Sequence, residues 1–147
     1  MGMDRKFIGA ESEVRFVDVE AGRLKLFATA VGETDPIYSD EAAAAAKGYR
    51  AIPAPPTFAF SLGLLAPSKD LNVADIVENA AAGLHGEQKF KYHKMIFAGD
   101  RISLKSKITD MYDKKGGKLE FLVQETTAHN QEGVRGGEAL TVIVIRN

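Results

Sequence analysis

Between Pro56 and Pro67 the chain reads Thr-Phe-Ala-Phe-Ser-Leu-Gly-Leu-Leu-Ala, a helix-length stretch with two hydroxyls and no charge. A helix that is apolar all round has to be buried all round. Pro56 can occupy the first helical position and Pro67 cannot continue the helix, so the segment has a defined start and stop. It is too short to cross a bilayer, which takes about 20 apolar residues. In a chain of 147 residues, the length of one compact domain, the rest must therefore wrap around it.

The wrapping material follows. From His85 the period becomes two, with Gln88, Phe90 and Tyr92 on one face and Glu87, Lys89, Lys91 and His93 on the other. Further strands are predicted at 101–113, 118–129 and 134–145, joined by Lys115-Gly116-Gly117-Lys118 and Asn130-Gln131-Glu132-Gly133, which makes consecutive antiparallel hairpins the economical topology. These strands are longer than the usual five or six residues. The last, Leu140-Thr-Val-Ile-Val-Ile145, is apolar on both faces and is expected to be covered on both.

Before the apolar helix, 15–19 can begin the sheet. The spacing of Leu24, Phe27, Ala28 and Val31 predicts a helix with Asp18 as cap and Gly32 as stop. A second short helix is predicted over the five alanines 42–46, capped by Ser39, with Asp40 and Glu41 in its first turn, Lys47 in its last and Gly48 after it. The fold class is thus α+β, one domain over 1–147. A central helix is enclosed by a curved antiparallel sheet whose second face or edge wants a partner.

Composition narrows the chemistry. There is no cysteine, which excludes a thiolate nucleophile, a Cys-ligated zinc or iron–sulfur site and a disulfide framework. Nineteen basic residues against twenty acidic ones give a net charge of -1, so no global field points to nucleic acid or an anionic membrane. No histidine or carboxylate spacing suggests a metal, and no glycine-rich phosphate loop is present. The first fourteen residues carry no apolar run of signal-peptide length, and a cytoplasmic location is expected.

Four segments, Phe27-Ala-Thr-Ala-Val-Gly-Glu-Thr-Asp-Pro-Ile-Tyr-Ser-Asp40, Ala54-Pro-Pro-Thr-Phe58, His85-Gly-Glu-Gln88 and Ala98-Gly-Asp100, resemble the MaoC-like hot-dog family. That family holds the (R)-specific enoyl-CoA hydratases and (3R)-hydroxyacyl-thioester dehydratases, and the match is nearest to the branch called MaoC dehydratase N-terminal domains. It runs from about Phe16 to Val144. The resemblance implies a hot-dog fold with a long central helix, side-by-side pairing of subunits and an acyl-thioester tunnel along the helix and between subunits. It implies no cofactor, CoA or phosphopantetheine entering only as part of the substrate, with Lys47, Arg50, Lys91 and Lys94 available to their phosphates.

Catalytic members carry G-D-x-N-P-x-H-x-D, whose Asp and His hold water and move the proton. Here the stretch is Gly32-Glu33-Thr34-Asp35-Pro36-Ile37-Tyr38-Ser39-Asp40, so Glu33, Asp35 and Tyr38 stand at the Asp, Asn and His positions. Glu33 is long by a methylene, and a misplacement of about 1 Å can cost roughly a hundredfold in rate. Tyr38 is a phenol that stays protonated near neutrality unless a cation depresses it, so it can be an acid but not a base. Catalytic members also polarise the thioester carbonyl with N–H groups at the start of the central helix. Pro56 has none to offer, while Thr57 and Phe58 do.

The candidate catalytic residues are therefore Glu33, Tyr38 and Asp35, and the candidate substrate contacts Pro56, Thr57, Phe58 and His85. Each has a plain structural alternative: a turn at Pro36, a rigid helix start, an interface histidine. Gly99-Asp100 reads as a turn. The leading expectation is a hydratase or dehydratase subunit. It either acts as a homodimer through Glu33 and Tyr38, or forms the substrate-binding half of a heterodimer with a catalytic MaoC-like chain. A non-catalytic acyl-thioester binding module and an acyl-CoA thioesterase stay open. No nucleic-acid or membrane partner is expected.

Overall fold

The computed structural model describes residues 2–147. Five strands, β1 (Arg15–Asp18), β2 (Gly83–Tyr92), β3 (Arg101–Lys114), β4 (Leu119–His129) and β5 (Arg135–Arg146), form one antiparallel sheet in the order β1-β3-β4-β5-β2. β3, β4 and β5 are the expected meander. β2 crosses over to pair with β5, so β1 and β2 are the sheet's edges. Register shifts at His85/Glu87, Ile108/Asp110 and Ala128/His129 bend the long strands, the usual work of a bulge. The β3–β4 turn places Lys115, Gly116 and Gly117 at positive φ, which only glycine adopts without cost.

Four helices, α1 (Ala21–Ala30), α2 (Glu41–Ala46), α3 (Phe58–Leu65) and α4 (Val73–Ile76), accompany the sheet. Both predicted N-caps are displaced. α1 begins after Glu20, with no side-chain cap, and Asp18 ends β1 instead. α2 is capped by Asp40, whose carboxylate accepts the Ala42 N–H, rather than by Ser39. Gly32 and Gly48 follow their helices at positive φ as expected.

α3, the apolar helix, is only eight residues long and is not buried on every side. Phe58 and Leu62 are buried, whereas Leu64 is 67% exposed. The sheet and α1 cover one side of α3, while Leu64 and Leu65 stand open to solvent. β5 departs from expectation in the same way, with Val142 and Ile145 buried but Ile143 and Val144 only half-buried.

Two clusters make the core. One gathers Leu24 of α1, Ile52, Phe58 and Leu62 of α3 against Ile102 and Leu104 of β3. The other packs Leu71, Ile76 and Val77 on Ile108, Met111, Leu122 and Ile145. Segment 68–82 carries no strong periodicity, yet it closes this second end of the sheet. Glu13 holds it there, accepting from Ser68 Oγ (2.7 Å) and Lys69 N (2.7 Å). These bonds pull the Glu13 carboxyl down to about 2.

β2 is held on β5 by close backbone approach at glycines. A Cβ on Gly137 would lie 2.8 Å from the Lys91 carbonyl oxygen, which is backbone and cannot turn aside. Gly137→Ala is expected to pry β2 from β5, destabilising by about 1–3 kcal/mol as overpacked sites do. The loss would appear in urea denaturation and as faster amide exchange confined to 83–92 and 135–146.

Candidate functional site

Two cavities lie under α3, on either side of a shared wall made by Ala59, Thr126 and Ala139. The first, about 240 Å3, is bounded by Tyr38, Pro55, Pro56, Leu62, Tyr92–Ile96 and Gly136–Ala139. The second, about 430 Å3, is bounded by Arg15, Phe60, Leu64, Ser68, His85, Ser106, Gln124, Thr141 and Ile143. Apolar walls with a few polar groups are the usual make-up of a small-molecule site.

The chain entering the first cavity is shaped by its own turns. Gly32, at positive φ, ends α1. Glu33 Oε1 then accepts the N–H groups of Thr34 (2.9 Å) and Asp35 (3.0 Å). Asp35 Oδ1 accepts the Ile37 N–H (3.1 Å) and caps the short turn 36–38, with Pro36 in its first position. Glu33 and Asp35 are exposed and line neither cavity. Tyr38, half-buried, does line the first. Burial, followed by the charges of Glu33 and Asp35, pushes its phenol above the ordinary value of 10.0. With carboxylates rather than a cation beside it, Tyr38 stays a proton donor at neutral pH.

The start of α3 offers little to an oxyanion. Phe58 N donates to the Pro55 carbonyl (2.9 Å), Ala59 N to Pro56 and Phe60 N to Thr57, while Pro56 has no N–H. Among the described residues, Thr57 N is thus the only amide there without an assigned acceptor. Pro56 borders the first cavity, Phe58 is core, and Thr57 borders neither cavity. His85, edge-to-face with Phe60 at 5.0 Å, belongs to the second cavity.

The sequence reading thus brings Tyr38 and Pro56 to one cavity and His85 to the other. It gave no role to His93 or Glu138, which also border the first cavity and whose side chains approach to 3.9 Å. No spacing announces that pair, because β2 and β5 meet only through the crossover. Of the lysines named for phosphate contact, Lys91 and Lys94 border the first cavity. Arg50 does something else: it pairs with the buried carboxylate of Asp100 and lies over the Phe97 ring at 4.5 Å. Among the described residues no cluster could hold a metal ion, and no helix is long and apolar enough to cross a membrane.

A short helix cradled by a curved antiparallel sheet, with cavities between them, is the hot-dog fold of the MaoC-like dehydratases. The chain belongs to the family described as FAS1-like, dehydratase domain region, whose model matches residues 6–135. It is 33% identical over 148 residues to a UPF0336 protein of Streptomyces avermitilis, covering 99% of this chain and 97% of that one. The structure is similar to that of the C-terminally truncated HadBC (3R-hydroxyacyl-ACP dehydratase) complex from Mycobacterium tuberculosis. The match has a TM-score of 0.78 and 26% identity and covers 98% of this chain and 99% of that chain. The ChsH1–ChsH2 complex from the same organism shares the fold, with a TM-score of 0.75 at 22% identity over 94% of this chain and 89% of that chain.

Proposed function

We propose that this chain is the substrate-holding subunit of an (R)-specific enoyl-thioester hydratase or (3R)-hydroxyacyl-thioester dehydratase, working beside a MaoC-like chain that supplies the catalytic Asp and His. The observation that carries this reading is the fate of Glu33. Its Oε1 is spent on the two N–H groups of its own turn, and it lies outside both cavities. Hydration needs a base within hydrogen-bond reach of the attacking water. Tyr38 reaches the cavity but holds its proton. The start of α3 adds one amide where a pair is wanted, and a missing oxyanion donor costs about 3 kcal/mol of transition-state stabilisation.

What the chain retains suits binding. The first cavity has apolar walls for an acyl group, and Lys91 and Lys94 border it on the side of edge strand β2. That edge and the uncovered side of α3, with Leu64 exposed, are the surfaces a second hot-dog subunit would cover. HadBC and ChsH1–ChsH2 are both two-component complexes by name, which supports a partner of the same fold here.

The test follows the loss of enoyl absorbance with crotonyl-CoA. The protein alone is expected to be silent, and addition of an intact-motif MaoC-like chain from the same genome is expected to give turnover above that chain's own. In the mixture, Glu33→Gln is expected to change the rate less than twofold. Turnover by the protein alone that Glu33→Gln abolishes would make Glu33 a working base and overturn the proposal.

A further inference from the structure

The second cavity contains an arginine whose hydrogen bonds go to neutral acceptors alone. β1 pairs with β3 so that Arg15 stands opposite Leu104, on the sheet face that looks toward α3. Its Nη1 donates to the Ala66 carbonyl (2.7 Å) and its Nη2 to Ser106 Oγ (2.6 Å), both neutral acceptors. Among the described residues Nε is buried without a partner. The carboxylate of Glu13 favours the charged form of Arg15 through space, while its own oxygens accept from Ser68 and the Lys69 amide. Burial nonetheless draws the guanidinium below its usual value. A half-buried cation whose direct hydrogen-bond partners are all neutral is stabilised further by an anion that reaches it.

The hydrogen bonds beyond Arg15 carry its polarity into the cavity. Ser106 Oγ accepts from the guanidinium and lies 2.8 Å from Thr126 Oγ1. Either hydroxyl can donate to the other, and in both arrangements one hydroxyl hydrogen is left for a further acceptor. Phe60, Leu64 and Ile143 supply an apolar wall alongside this polar floor.

The geometry points to a binding site for the carboxylate of an aliphatic acid, its head group held by Arg15, Ser106 and Thr126 and its chain along α3. The site does not depend on the proposed hydratase role. The carboxylate can belong to a free fatty acid or to the far end of an ω-carboxyacyl thioester.

The experiment is an NMR titration of the whole labelled protein with decanoate, 1-decanol, decanoyl-CoA and the mono-CoA thioester of decanedioic acid. Decanoate is expected to shift the amides of Ser106 and Thr126 and to bind at least tenfold more tightly than 1-decanol. Arg15→Met is expected to remove that preference while leaving 1-decanol binding within twofold. Ser106→Ala, which keeps the charge, should weaken decanoate by a smaller factor and guards against a folding defect in the arginine variant. Arg15-dependent tightening of the decanedioic thioester over decanoyl-CoA would identify the ω-carboxyl as the source, and its confinement to decanoate the free acid. Equal affinities of decanoate and 1-decanol, or a decanoate affinity unmoved by Arg15→Met, would overturn the assignment.

Discussion

Phe58→Ala is expected to destabilise the protein by about 3–5 kcal/mol, the range for truncating a buried aromatic side chain. Phe58 is 1% exposed and meets Phe27 edge-to-face at 5.3 Å. It joins α3 to α1, so its loss opens a void between two helices and the sheet at once. A domain of this size has roughly 5–15 kcal/mol in total, so the variant should sit near the limit of folding at 37 °C. Urea denaturation at lower temperature would measure the loss, and Phe58→Leu, which refills most of the volume, should cost distinctly less. A cost below about 1 kcal/mol for the alanine variant would mean that α3 is held by something other than this core.

The elements written in hydrophobic period were legible in the sequence. Strands β2 to β5, the glycine turn at 115–118 and the two glycine stops of α1 and α2 follow directly from it. What misled was the all-apolar stretch from Thr57 to Ala66. Uniform hydrophobicity says that a surface will be covered but not by what, and here Leu64 and Leu65 stand open in the single chain. An apolar face awaiting another subunit and one packed in its own core look alike in one sequence. The caps slipped for a local reason: Ser39 and Asp40 are both good capping residues, and only the backbone decides which carboxyl or hydroxyl meets an N–H.

The candidate site was legible in part at its first cavity, through Tyr38 and Pro56, and at its second only through His85. The Gly32–Asp40 loop is contiguous, so its resemblance to a catalytic loop could be read and its replacements weighed. The role of Glu33 as the cap of its own turn is consistent with the simple alternative of a turn at Pro36. Arg15, Ser106 and Thr126 come from three strands, and no spacing links them. Their association depends on the register of β1 on β3 and of β3 on β4, which the periodicity leaves undetermined.

Asp100 shows how much a turn residue can hide. Gly99 at positive φ makes the turn the sequence suggests, but the side chain that follows is 1% exposed. Its Oδ2 accepts the Phe97 N–H (2.9 Å), and its Oδ1 takes the Arg50 guanidinium and the Gln131 amide. One carboxylate thus ties the α2–α3 connection, the segment before β3 and the β4–β5 turn. Burial works to raise its pKa and is outweighed by the Phe97 N–H, Arg50 and Gln131, so it titrates below the ordinary value of 3.8. Asp100→Asn replaces an acceptor by an amide donor among three donors and is expected to cost about 2–3 kcal/mol at neutral pH. Because the folded pKa lies below the unfolded one, the carboxylate's contribution is complete above the ordinary aspartate range and fades as pH falls through the folded value. The stability gap between wild type and Asp100→Asn should therefore be constant from pH 8 to about pH 5 and shrink below about pH 4. A gap that instead widened on acidification would mean that the Asp100 carboxyl is protonated in the folded protein, and that Arg50 is held by Phe97 rather than by charge.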